Sequence, residues 1–276
     1  MKGQELKHRI TGVQETVKIT KAMQMISASK MHKSQQMFDT SKKYLEEVSS
    51  AIKMLMTPTY ANHPYFVKHE DDKAAFIVIA GEKGLCGDYN HLVLEKAYSE
   101  IRLRNVQKVF PIGYVARDFF KKRAYDVSKA YIHLIQDPMP EDVRAVTDDL
   151  IAKFIAKEFN KVYIAYTDVE TLATHKVVIK KILPITYEEQ KEETMVLSDN
   201  DTVSNMLNQY VWAELYYAIA SASLAINYKR MIAMQQSTTN GEEIVSELIL
   251  EYNHKRQESI TTELVDASSS LQGKRL

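Results

Sequence analysis

Gly81-Glu82-Lys83-Gly84-Leu85-Cys86-Gly87 is the stretch of this sequence whose residue types and spacing come nearest to chemistry. It follows an apolar run, and glycine-rich turns between a strand and a helix cradle phosphates with their backbone N–H groups. The match stops there. The stretch lacks the closing Gly-Lys-Ser/Thr of a nucleoside triphosphatase loop, and it is not Gly-x-Gly-x-x-Gly. Cys86 is a candidate nucleophile, but a thiol needs a base beside it, and no histidine is obviously placed to serve. The eight histidines are scattered without metal-ligand spacing, and a single cysteine gives neither an internal disulfide nor a zinc cluster. Met23, Met25 and Met31 read as core or as an adaptable contact surface. No catalytic constellation stands out, so no cofactor or metal is expected. Gly84, Cys86 and Gly87 with Asn90 read as a tight structural turn that packs a strand against a helix.

The elements that position this turn alternate. Ala74 to Gly81 is a continuous apolar run, the pattern of a strand buried on both faces. A helix is expected from about Asn90 to Arg104, a second strand at Lys108 to Gly113 and a second helix at Tyr114 to Lys122. Asp126 to Leu134 is expected to hold a third strand. Pro140-Glu141-Asp142 places proline and acids at a helix start, as the helix dipole prefers, and that helix should run to Phe159. Lys161 to Thr167 is a fourth strand, paired with Thr174 to Leu183. The order implies a small, open, Rossmann-like α/β sheet over residues 72–190, with helices on its faces.

Long helices flank this domain, over residues 1–58 and 203–276. From Leu6, apolar residues fall at Ile10, Val13 and Val17, the seven-residue repeat of a helix burying one narrow seam. The seam continues less cleanly through Met23, Met31, Phe38, Leu45, Val48, Ile52 and Leu55. At 1.5 Å per residue this helix would be roughly 70–80 Å long. The C-terminal stretch from Val203 has Gly241 as its only internal glycine before Ser270. Glycine in a helix interior costs about 1 kcal/mol against alanine, so the alternative is two helices around a loop at Thr238 to Gly241. Two such helices bury their seams by packing antiparallel as a coiled coil, or each packs on another chain.

Thirty-six basic and thirty-six acidic residues argue against generic binding to nucleic acid or an anionic membrane. The first helix is locally basic, which is either a solvated face or a surface for an acidic partner. No apolar run approaches the roughly 18–20 residues that span a bilayer, so membrane association is expected only through partners.

Three separated segments resemble the gamma subunit of rotary F-type ATP synthase, the central stalk. The first is Arg9-Ile10 through Val17-Lys18-Ile19-Thr20-Lys21-Ala22-Met23-Gln24-Met25, followed by Ser29-Lys30-Met31. The second is Lys83-Gly84-Leu85-Cys86-Gly87 with Asn90. The third is Arg230-Met231-Ile232-Ala233-Met234, then Thr239-Asn240-Gly241, Tyr252-Asn253, Arg256-Gln257 and Ile260-Thr261. Their order and spacing match that family across nearly the whole chain. Departures are Ile226, in a stretch where Ser-Glu-His/Gln often precedes the Arg-Met pair, Asp88 in place of a second glycine, and Thr262 where glutamine commonly follows Ile-Thr.

The resemblance implies a non-catalytic rotor that couples ion-driven rotation of a membrane c ring to ATP synthesis or hydrolysis. Its partners would be the alpha and beta subunits around the coiled coil, with the epsilon subunit and c ring below, at the cytoplasmic face of the cell membrane. It places Lys18, Lys21, Met23 and Arg230 near the beta subunits' lever loop, and Arg256, Gln257 and Thr261 at a higher collar. Met195, Leu197, Asp199 and Asp201 would meet epsilon and the c ring at the foot. The alternatives are a divergent gamma paralogue in another rotary machine, or a nucleotide-binding α/β protein with coiled-coil arms.

Overall fold

A computed structural model of the chain describes residues 3–55, 62–67, 73–127, 131–186 and 200–272. In chain order these form α1 (Gly3–Leu55), β1 (Lys73–Ile79), α2 (Tyr89–Arg102), β2 (Asn105–Ile112), α3 (Tyr114–Lys121), α4 (Pro140–Ile155), β3 (Lys161–Val169), β4 (His175–Leu183) and α5 (Asn200–Gln272). The chain divides into a smaller unit, Met1–Ile26 with Met231–Leu276, and a larger one, Ser27–Arg230. The expected outer limits 1–2, 56–58, 72, 187–190 and 273–276 lie outside the described residues.

The larger unit is built on a four-stranded sheet of order β2-β1-β3-β4. β1 pairs in parallel with β2 and β3, while β4 runs antiparallel to β3. Side chains alternate across β1. Ala74, Phe76 and Val78 pack with Val93, Leu94, Ala97 and Ile101 of α2 and with Ala116 and Phe120 of α3. On the other face, Ala75, Ile77 and Ile79 join Val143, Val146, Leu150 and Phe154 of α4, and the α5 residues from Val203 to Ile226. β1 therefore has core on both sides, which is why its sequence is unbroken by polar residues from Ala74 to Ile79.

Two local expectations change. Residues 126–134 contribute only isolated bridges, Val109 with Val127 and Ile112 with Tyr131, among the described residues. α4 stops at Ile155 rather than Phe159, because Lys157 takes a left-handed φ of 61° and turns the chain. Phe159 is then free to pack edge-on against Phe110, with centroids 6.0 Å apart, within the range of favourable aromatic pairs.

The α1 seam is more regular than its apolar residues suggest. Leu6, Val13, Thr20, Ser27, Ser34, Ser41 and Val48 recur every seven residues, so small hydroxyl side chains hold one heptad position through the middle of the helix. Ser27, Ser34 and Ser41 are buried. In the larger unit, Ser34 Oγ lies 3.0 Å from Ser223 Oγ, and Asn227 Nδ2 donates to Ser34 Oγ at 3.1 Å. Phe38 meets Tyr217, and Tyr44 meets Trp212, so rising α1 numbers pair with falling α5 numbers. In the smaller unit the sense is the same: Val17 faces Gly241, and Thr20 Oγ1 lies 2.8 Å from Thr238 Oγ1. The coiled coil is antiparallel in each unit.

α5 passes through Gly241 without interruption. A Cβ at this position would stand 2.5 Å from Val17 Cγ2, so the glycine serves helix approach rather than a turn.

Candidate functional site

The turn between β1 and α2 is held against α5 along its length. Leu85 and Gly87 both take left-handed φ, 59° and 60°, and fold the turn back on itself. Asn90 in the first turn of α2 closes the loop: its Oδ1 accepts from Gly81 N–H at 2.7 Å, and its Nδ2 donates to Lys83 O and Cys86 Sγ, each at 3.3 Å. Tyr89, buried, donates to Ala222 O at 3.3 Å. A Cβ on Gly81 would meet Ile226 Cδ1 at 2.5 Å, and Lys229 Nζ reaches Asp88 Oδ1 at 3.3 Å. Asp88 has φ −84°, an ordinary right-handed value, so this position has no conformational need for glycine.

The chemistry of the turn is structural. Cys86 is buried, and burial pushes its thiol up in pKa, against the smaller opposing pull of the Arg230 charge. A thiol so placed is mostly protonated at neutral pH and a poor nucleophile. Among the described residues there is no group of three or more His, Cys, Asp or Glu side chains that could hold a metal.

Two further clusters, which sequence reasoning did not anticipate, fasten the sheet to α5. Glu214 is buried, and its carboxylate takes both contacts of Lys180 Nζ, at 2.7 and 2.8 Å, and a hydrogen bond from Tyr210 at 2.8 Å. Ser221 Oγ accepts from Val169 N–H at 3.0 Å, and Tyr217 donates to Asp168 Oδ1 at 2.8 Å. Burial, and then the Asp168 charge and hydrogen bond, hold the Tyr217 phenol well above its usual pKa. A Lys, a Tyr and a Ser at separated positions carry no local motif, so spacing alone had no means of pairing them.

The residues assigned to partner contact fall in separate places. In the smaller unit, Lys18 and Lys21 are exposed on α1 and Met23 is half-buried, while Arg256, Gln257 and Thr261 are exposed on α5. Arg256 lines an open groove of about 600 Å³ with Gln4, Lys7, Tyr252 and Lys255. Thr261 Oγ1 donates back to Gln257 O at 2.9 Å. In the larger unit, Arg230 is half-buried beside Cys86 and Tyr89, where its charge favours their ionised forms. Asp201 is exposed in the first turn of α5; Met195, Leu197 and Asp199 lie outside the described residues.

A family model described as ATP synthase matches residues 2–272. The ATP synthase gamma chain of Lactococcus lactis subsp. cremoris (strain MG1363) is 31% identical over 283 residues, spanning 97% of this chain and 98% of that one. The ATP synthase gamma chain of Desulforamulus reducens is 28% identical over 267 residues, spanning 94% of each. Among solved structures, a chain of the Euglena gracilis mitochondrial ATP synthase OSCP/F1/c-ring assembly in rotational state 3 aligns with TM-score 0.71 at 14% identity, covering 98% of this chain and 94% of that one. The rotor of the same enzyme in rotational state 1 gives TM-score 0.66 at 13% identity, over 94% and 98% of the two chains. At these identities the structural likeness speaks for the fold alone.

Proposed function

This chain belongs to the ATP synthase gamma-chain family and is the central-stalk subunit of an F-type ATP synthase, and from that premise we propose how its residues divide the work. The subunit itself carries out no chemistry. Its smaller unit turns inside a ring of alpha and beta subunits, and its larger unit is joined to epsilon and the membrane c ring. Rotation presents different faces of the helix pair to each beta subunit, and each face favours a different open or closed state. The protein is a peripheral component at the cytoplasmic face of the cell membrane, held there by its partners. Among the described residues no helix is long and apolar enough to cross a bilayer.

The observation that carries the division is how densely large apolar side chains are exposed in the smaller unit: among the described residues six are more than half exposed there, against four, Met54, Leu85, Leu103 and Ile155, in the much longer one. Ile19, Met25 and Ile26 on α1, and Leu250, Leu264 and Val265 on α5, are each more than half exposed. Apolar surface left open in this quantity marks a partner interface, and the exposed Lys18 and Lys21 on the same stretch of α1 suit acidic loops. At the foot, Asp201 and the segment holding Met195, Leu197 and Asp199 would meet epsilon and the c ring. The Lys180–Glu214 pair, the Ser221 and Tyr217 bonds and the β1–α2 turn would carry torque between the sheet and α5.

The test is single-molecule rotation driven by ATP hydrolysis in the reconstituted alpha-beta-gamma complex. Lys21→Glu together with Arg230→Glu should slow rotation and weaken torque, and unchanged rotation would sink the lever assignment. Because Arg230 also sits beside the Cys86 turn, Lys21→Glu alone separates lost lever contact from a disturbed turn. Co-purification with tagged beta subunit should return about one copy of this chain for each three beta subunits.

A further inference from the structure

Glu82 is a buried carboxylate beside the exposed tip of the turn, Lys83, Gly84 and Leu85. Its side chain points inward and reaches two other segments. Glu82 Oε2 accepts from the Tyr114 N–H at 3.2 Å, and Oε1 accepts from the His133 N–H at 2.5 Å. Tyr114 opens α3, so its N–H belongs to the positive end of a helix dipole. His133 holds φ 70°, a left-handed value that leaves its N–H available to the carboxylate. Around this pair the segments are already close: Val115 N–H donates to Gly81 O at 3.1 Å, and Gly113 N–H donates to Tyr131 O at 3.0 Å.

The location has a specific meaning in sheets of this kind. β1 and β2 run in parallel, and Glu82 and Tyr114 follow their carboxyl ends. Backbone N–H groups at a helix N-terminus on that edge draw anionic groups. Here the anion is covalently part of the chain.

We propose that Glu82 is an internal ligand: its carboxylate fills the anion position formed by the N-terminus of α3 and the His133 N–H, and so ties the β1–α2 turn to α3 and to residues 131–133. Glu82 acts as a positioning residue, because the turn it secures is the one that grips α5 through Tyr89, Gly81 and Asp88. A small carboxylate or inorganic phosphate is the class of ligand the vacated position would take.

The experiment is chemical rescue in the full-length chain. Glu82→Ala should lower the thermal midpoint, and sodium acetate should restore part of the loss along a saturating curve, with no such effect on the unsubstituted protein. Sodium chloride at equal ionic strength is the control, and inorganic phosphate is the second probe. No loss on substitution, recovery equally by chloride, or an equal acetate response in the unsubstituted protein would each overturn the proposal. Should Glu82→Ala not fold, Glu82→Gln provides the second measurement, since its amide can accept from only one of the two N–H groups. Hydrogen exchange at Tyr114 and His133 should then quicken roughly tenfold, the scale of one lost charge-assisted bond. Unchanged exchange at both would refute the assignment.

Discussion

Gly113 is the residue at which substitution should cost most for its size. It has φ 93°, and an added Cβ would stand 2.1 Å from Ala80 O, a backbone atom that cannot rotate away. Gly113→Ala should destabilise the full chain by about 2–3 kcal/mol, the range for strained backbone and overpacking, read from urea unfolding. No side-chain substitution should rescue it. Gly81 is different, because the two nearest atoms in its way are side-chain ends, Ile226 Cδ1 and Asn90 Oδ1, and the backbone oxygen of Lys83 stands farther off at 3.1 Å. Gly81→Ala should cost about 1–2 kcal/mol, with part regained on adding Ile226→Val. At this scale the sequence was half legible. Gly84, Cys86, Gly87 and Asn90 stood out together as a turn, whereas Glu82 was indistinguishable from any acid in a loop. Only the approach of Tyr114 and His133, 32 and 51 residues on, gives that carboxylate its place.

The two long helices were legible from their length and their lack of proline, but their seam was not. A search for apolar spacing passes over Thr20, Ser27, Ser34 and Ser41, and the irregular run through Met23 took their place. Serine fits such a position when helices approach closely and its hydroxyl finds a partner. Ser34→Ala removes the acceptor of the buried Asn227 amide and should cost about 1–3 kcal/mol in the same unfolding assay. Ser34→Ala with Asn227→Leu should recover much of it, since both polar groups are then gone. Gly241 was ambiguous for a related reason: glycine weakens a helix, so a break at Thr238 to Gly241 stood as the alternative to one continuous helix. Gly241→Ala raises helix propensity by about 1 kcal/mol, yet Val17 is β-branched and cannot rotate freely out of the way. The substitution should therefore lower the thermal midpoint, and Val17→Ala in the same chain should reverse the sign.

Across the whole molecule, acid stability has a local source in His175 at the start of β4. Burial, and then the charge of Lys229, lower its pKa from the usual histidine value, against a weaker pull from the Leu172 backbone. The folded protein then binds fewer protons than the unfolded chain as pH falls below about 6.5, the ordinary histidine value. Its contribution is present above that value and is lost as pH drops toward the depressed folded value. His175→Phe keeps a ring against Tyr228, whose centroid is 5.1 Å away, and should flatten the stability profile between pH 7 and pH 5. Fold class was legible at this scale because strand and helix patterns alternate cleanly. The Lys180–Glu214 and Ser221–Val169 ties were not, since each joins β3 or β4 to a helix 34 to 52 residues away. The meeting of the β1–α2 turn with α5 has one more consequence. Asp88 and Ile226, two departures from the family's usual residues, lie on opposite sides of that single contact, with Lys229 and Gly81 as their counterparts. They form one structural unit: a chimera that takes the terminal helix from a relative should assemble poorly until the turn is exchanged with it.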